Sequence, residues 1–151
     1  MQFFMKDLEP LIIETVNQGF TFTMLPKGTS MLPLFREGED SVILSALPEK
    51  VMAGDVILYK RENEQYVLHR VMMVKGDTFV MCGDNQAVFE KGITRENMIA
   101  IASGMIRDGE EIDFSKNEKY LSYVKRTLSE KKRKNVLYRF KSLIKKILMI
   151  K

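Results

Sequence analysis

The sequence predicts a mainly β domain with a short helix at its N-terminal end and another helix at its C-terminal end. Two observations carry that reading. Between residues 20 and 106, apolar and β-branched runs of five to eleven residues recur between Gly-, Asp- and Asn-containing turns. At both ends the apolar residues return instead at helical spacing.

Taken in order, MKDLEPLIIETVNQ, residues 5 to 18, suits a helix with Pro10 in its first turn and Gly19 as its stop. FTFTML (20 to 25) alternates as a strand does, and SVILS (41 to 45) reads as a second strand. DVILYKR (55 to 61) and QYVLHRVMMVK (65 to 75) flank a polar Glu-Asn-Glu turn and predict a long hairpin. Gly76-Asp77 then turns the chain into TFVMC, 78 to 82. MIAIASGMI, 98 to 106, adds a further strand before the RDGEE turn. Residues 1 to 130 therefore read as one domain, and residues 131 to 151 as a separate basic amphipathic helix.

Composition narrows the chemistry. A chain of 151 residues, 45% hydrophobic and 29% charged, fits one globular domain with a single core. One cysteine excludes an internal disulfide framework, and one histidine beside it cannot build a usual zinc site, so no metal or cofactor is expected. No apolar run approaches the roughly 20 residues of a membrane-spanning helix, and MQFFMKDLEP lacks the marks of a secretory signal. A reducing cytoplasm is the expected compartment.

The net charge of +4 is unevenly spread. Residues 131 to 151 hold nine Lys or Arg and no acid, which leaves residues 1 to 130 at −5. Such a body is not a nucleic-acid-binding surface. In the tail, Leu137, Phe140, Ile144, Ile147 and Leu148 share a helical stripe, with Arg139, Lys141, Lys145 and Lys146 largely off it. That pattern suits packing on the domain, on another subunit, or reversible docking at the inner membrane surface on anionic lipid.

The residues able to do chemistry are few. In KGTSMLP, Ser30 sits between a loosening Gly28-Thr29 and a stiffening Pro33, so its hydroxyl is either ordinary turn chemistry or a nucleophile. A serine nucleophile needs a base, and the chain offers one histidine, His69. In a strand, His69 shares a face with Val67 and Val71 and lies opposite Arg70. In MCGDNQ, Asp84 follows a strand where glycine lets the chain turn. Cys82 could also pair with His69, although a lone cysteine in such a strand reads as a small buried residue. Lys60 could serve as a lysine base, but reads as a solvated hairpin lysine.

Read together, KGTSMLP, AGDVILYK, VLHRVMMVKGD and MCGDNQ resemble the successive boxes of the signal peptidase I family, whose β-rich catalytic fold is shared with LexA-type self-cleaving repressors. The resemblance spans about residues 20 to 110. Where the bacterial enzymes carry a lysine before the arginine of the third box, this chain has His69, which is similar to the endoplasmic-reticulum and sporulation-type branch. The resemblance implies a coiled β-sheet fold and a serine endopeptidase acting on an extended, leader- or signal-like peptide. Ser30 would be the nucleophile, His69 the general base and Asp84 its acidic partner. Glu90 stands where that branch often has a second acid.

Two departures accompany it. A serine two residues before the nucleophile is replaced by Gly28, so the oxyanion hole would rest on the Ser30 N–H and on Thr29. The membrane anchor of ordinary signal peptidases is also missing, which favours a cytoplasmic precursor peptide as substrate. The 29 residues before Ser30 are too few for a LexA-type DNA-binding domain. A peptide-binding or regulatory module of the same fold, with weak or no catalysis, is the alternative, and Gly28 supports it.

Overall fold

The computed structural model describes residues 4–149. Its architecture is a largely antiparallel sheet with one helix at each end, as the alternation and the helical ends predict. The elements run α1 (Met5–Asn17), β1 (Phe22–Met24), β2 (Ser41–Ser45), β3 (Val56–Lys60), β4 (Tyr66–Lys75), β5 (Thr78–Cys82), β6 (Glu90–Thr94), β7 (Met98–Arg107), β8 (Glu110–Asp113) and α2 (Glu118–Met149). A single 3-10 turn, Arg95–Asn97, joins β6 to β7. The strand order is β1-β2-β7-β3-β4-β5-β6, with β8 paired to β7.

The sheet buries apolar side chains on both faces. On one side Val56, Leu58, Val42, Leu44 and Met105 pack with Met31, Leu34 and Phe35 of the loop after β1, and with Ile12 and Val16 of α1. Ile12 and Val16 are one helical turn apart, so both reach the sheet from one face of α1. Burying each contributes about 1.5–3 kcal/mol, which is what keeps so short a helix folded. On the other side Ile57, Tyr59, Val71, Phe79, Met81 and Ile93 close over Val51 and Met98.

Several boundaries differ from the sequence reading. Pro10 lies inside α1 and beyond its first turn. It is tolerated because Pro10 and Lys6 are both exposed, so the carbonyl left without its amide partner meets water. β6 and β8 were not legible as strands. Only Ile93 of β6 is buried, and none of β8, so neither shows an alternating pattern. Each is drafted into the sheet by pairing with a stronger neighbour, β5 and β7 respectively.

The expected division at 130/131 falls within α2, which begins at Glu118. Asn117 starts it, its side-chain oxygen accepting the Tyr120 N–H at 2.8 Å. Tyr120 stacks on Phe114 with ring centroids 3.8 Å apart. Further along, Val124 and Leu128 lie over Gly54, at 3.0 and 3.6 Å from the point a Cβ would occupy. With φ at +102°, position 54 disfavours any other residue on conformational grounds too. The last two residues of the expected tail helix, Ile150 and Lys151, lie outside the described residues.

Candidate active site

Ser30 belongs to a run of turns after β1. The Leu32 N–H donates to the Thr29 carbonyl at 3.2 Å, and the Phe35 N–H to the Met31 carbonyl at 3.1 Å. Met31, Leu34 and Phe35 are buried, which pins the turn to the core and leaves Ser30 half-buried at its rim. The loop after β5 docks on the same turn. The Asn85 N–H donates to the Ser30 carbonyl at 2.8 Å, and Asn85 Nδ2 to the Thr29 carbonyl at 3.1 Å. Two of the sequence boxes are thereby locked together by one asparagine.

His69 arrives from β4 and is buried. Gly83 shows how close the parts come: a Cβ added there would stand 2.6 Å from the Ser30 carbonyl oxygen, 2.9 Å from Gln86 Oε1 and 3.1 Å from His69 Nε2. Only a glycine fits between the serine turn and the imidazole. Ser30 and His69 line one cleft of about 230 Å³, together with Phe35, Arg61, Tyr66 and Gln86. A second hollow adjoins it at His69 and Gln86 and reaches Val88 and Glu90. Among the described residues, neither the Ser30 Oγ nor the Ser30 N–H makes a hydrogen bond within the chain.

The expectation that Asp84 orients His69 is corrected by the geometry. Asp84 takes two hydrogen bonds from Arg70, at 2.8 Å from Nε and 2.7 Å from the terminal nitrogen, and one from the Tyr123 hydroxyl at 2.7 Å. Both side chains of that ion pair are fully buried. A buried guanidinium keeps its charge and demands a full opposite charge, whereas a buried imidazole can simply stay neutral. Arg70 also donates to the Gly54 carbonyl at 2.7 Å. The AGDVILYK box thus serves the Arg70 cluster and the seat of α2.

What faces the inner nitrogen of His69 is Tyr59, with Nδ1 and the hydroxyl 3.3 Å apart. Tyr59 in turn donates to Glu90 Oε1 at 2.5 Å. Because the hydroxyl proton goes to the carboxylate, the Tyr59 oxygen is left to accept, which assigns the imidazole proton to Nδ1 and leaves Nε2 as the free base. Arg61 completes the chain, donating to Glu90 at 2.8 and 3.1 Å. Glu90, expected as a second acid, therefore reaches the histidine through a tyrosine.

The electrostatics fit a neutral imidazole. Burial, reinforced by the nearby Arg61 cation, pulls the His69 pKa from 6.5 down to about 4. Burial alone would raise Glu90, but hydrogen bonds from Arg61 and Tyr59 outweigh it and hold that carboxylate ionised. Burial and the adjacent Glu90 push the Tyr59 hydroxyl well above its usual range, so it stays protonated.

The remaining candidates separate cleanly. Thr29 is exposed and offers its carbonyl, already engaged, to this region. Cys82 is buried, its thiol turned to the Gly83 and Gln86 carbonyls, and burial raises its pKa, so it is a poor nucleophile. Lys60 pairs with Glu9 at 3.0 Å, a contact that raises its pKa and keeps it a cation. Among the described residues, no group of three His, Cys, Asp or Glu side chains is placed to hold a metal.

Tyr59, Gln86 and Arg61 carried no signal of a site role. Tyr59 reads as one more strand aromatic until the β3–β4 register, with Ile57 opposite His69, is known. Gln86 was visible as the last residue of MCGDNQ, but its place in the cleft depends on the docked loop. No family model matches the chain, and no curated protein or solved structure matches it significantly.

Proposed function

We propose that the chain is a serine endopeptidase acting on an extended peptide segment, with Ser30 as nucleophile and His69 as general base. The observation that carries this is the convergence of the Ser30 turn and His69 Nε2 on Gly83, in a cleft whose histidine is held neutral with its basic nitrogen free. Nε2 takes the Ser30 proton as Oγ attacks the peptide carbonyl, then returns it to the leaving amine. Tyr59 and Glu90 hold the tautomer and favour the imidazolium that forms between those steps. The free Ser30 N–H is one donor for the oxyanion.

An extended substrate suits the cleft wall. β5 pairs with β4 from Arg70 onward, and β3 pairs with residues Tyr66 to Arg70. Tyr66 to Leu68 therefore have a strand partner on one side only, and all three line the cleft. A peptide added there as a strand would run past Ser30. The resemblance of the four sequence boxes to signal peptidase I supports the same reading, with a leader- or signal-like precursor as the substrate class.

The test is active-site labelling and cleavage. A fluorophosphonate should modify Ser30, and a peptide library should be cut, both abolished in Ser30→Ala with no change in melting temperature. Cleavage by Ser30→Ala at the wild-type rate would refute the assignment. The second reading, a peptide-binding module without catalysis, draws on the absence of a Ser30 Oγ–His69 hydrogen bond. It requires equal peptide affinity for wild type and Ser30→Ala, with no cleavage by either.

A further inference from the structure

α2 changes character along its length. Up to Lys131 one face lies on the domain, over turns beside β3, β5 and β8: Tyr120 on Phe114, Tyr123 on Asp84, Val124 and Leu128 over Gly54. Lys131 itself donates to the Gln86 carbonyl. Beyond it no residue from 132 to 149 is buried, so the helix projects from the domain for about 27 Å at 1.5 Å per residue.

The projecting piece is amphipathic although α2 as a whole is not. At 3.6 residues per turn, Val136, Phe140, Leu143, Ile144 and Ile147 fall within about 100° of one another. They are between 41% and 65% exposed, so nothing within the described chain covers them. Leu137 and Leu148 widen the stripe along one edge, Arg139, Lys141, Lys145 and Lys146 lie off it with Tyr138 and Met149 among them, and residues 132 to 149 contain no acid. The stripe also points away from the domain: the same rotation places it roughly 160° or more from the face that seats Tyr123, Leu128 and Lys131.

Charge selects the occupant. Two copies of this helix packed stripe to stripe would bring rows of like charge together with no acid at the flanks to pair them. An anionic bilayer instead attracts every lysine while its acyl boundary accepts the apolar stripe. We propose that residues 132–149 lie flat in the headgroup layer of an anionic membrane, apolar stripe inward, with the folded domain on the opposite side of the helix. Lys131, the last docked residue, touches Gln86, which lines the cleft. The membrane-bound chain thus holds the mouth of the cleft within about one helix diameter, on the order of 10 Å, of the lipid. That placement concerns catalysis only if the proposed function holds; the lipid binding itself does not depend on it.

The experiment uses the full chain and vesicles of phosphatidylcholine, alone or with phosphatidylserine. Co-sedimentation should occur with the mixed vesicles at about 0.1 M salt and be lost near 0.5 M, where screening is short-ranged. Lys141→Gln with Lys145→Gln and Lys146→Gln should weaken binding by about 100-fold, roughly fivefold per charge. Phe140→Glu with Ile147→Glu should abolish it without lowering the melting temperature, because both residues project into solvent. An environment-sensitive dye on Leu143→Cys should shift to the blue on vesicles, and the same dye on Ser142→Cys, across the helix, should not. Absence of binding, equal binding to neutral vesicles, or equal shifts at 142 and 143 would overturn the proposal. So would a dimer in solution that the Phe140/Ile147 variant dissociates while no vesicle is bound, since the occupant would then be a second copy.

Discussion

His69 and Arg70 are neighbours on β4, yet the two faces of the strand treat them in opposite ways. Arg70 is sealed beneath α2, its guanidinium satisfied by Asp84, the Gly54 carbonyl and Tyr120. His69 opens into the cleft and rests on a chain that runs from the buried Tyr59 to Glu90 and Arg61, both partly exposed. One face stores a charge that never changes. The other keeps a group that is neutral at rest and has a route for stabilising a proton when one arrives. Burial alone would have disfavoured both cations, and the difference lies in what was buried with each.

The comparison breaks hardest if the Arg70 side is opened. Asp84→Ala leaves a buried guanidinium without its counter-charge and should cost about 3–5 kcal/mol of stability by chemical denaturation. Asp84 as a direct partner of His69 would instead give a stable protein with an activity defect alone.

Tyr59→Phe tests the His69 side. Removing the hydroxyl frees the imidazole to adopt the other tautomer, and kcat should fall about 10- to 100-fold, part of what a positioned base contributes. The corresponding Glu90→Gln variant should show a smaller loss of the same kind. If neither variant alters kcat, the chain through Tyr59 does not position the base.

The pH dependence sharpens the contrast most finely. Activity should be half-maximal near the lowered His69 pKa of about 4 and level above pH 6. The folded-state pKa lies below the unfolded value of 6.5, so between those pH values the unfolded chain binds more protons. Stability from this group is therefore full above about pH 6.5 and is lost as pH falls toward 4, on the order of 3 kcal/mol. His69→Gln should remove that slope from a pH series of denaturant melts, and a slope that persists unchanged would belong to other groups.

Much of this was legible in the sequence, for identifiable reasons. Apolar, β-branched runs between turns marked β2, β3, β4, β5 and β7, alternation marked β1, and the two-residue period of a strand placed His69 and Arg70 on opposite faces. The sole histidine and the serine turn were read as a pair, and the structure brings them to one cleft. Which of the two β4 residues Asp84 would meet depends on the β4–β5 register, Arg70 opposite Cys82 with an irregularity between Val71 and Met73, and no local pattern encodes that. The start of α2 carried no clear signal because Tyr120, Tyr123, Val124 and Leu128 sit among polar and charged residues, Lys119, Ser122, Lys125, Arg126 and Thr127. Their common face becomes evident only once Gly54 is known to lie beneath it.

Asn85 has a consequence for the order of events during synthesis. Its two hydrogen bonds join residues up to 56 positions apart, so the turn around Ser30 has no clamp until the chain beyond β5 exists. At about 5–20 residues per second, and with tens of residues still inside the ribosome, the serine emerges seconds before the asparagine that fixes it. The tyrosine that caps the Arg70–Asp84 pair comes later still, at position 123. A nascent chain therefore exposes a harmless hydroxyl, and whatever reactivity the finished cleft has is switched on by completion of the fold.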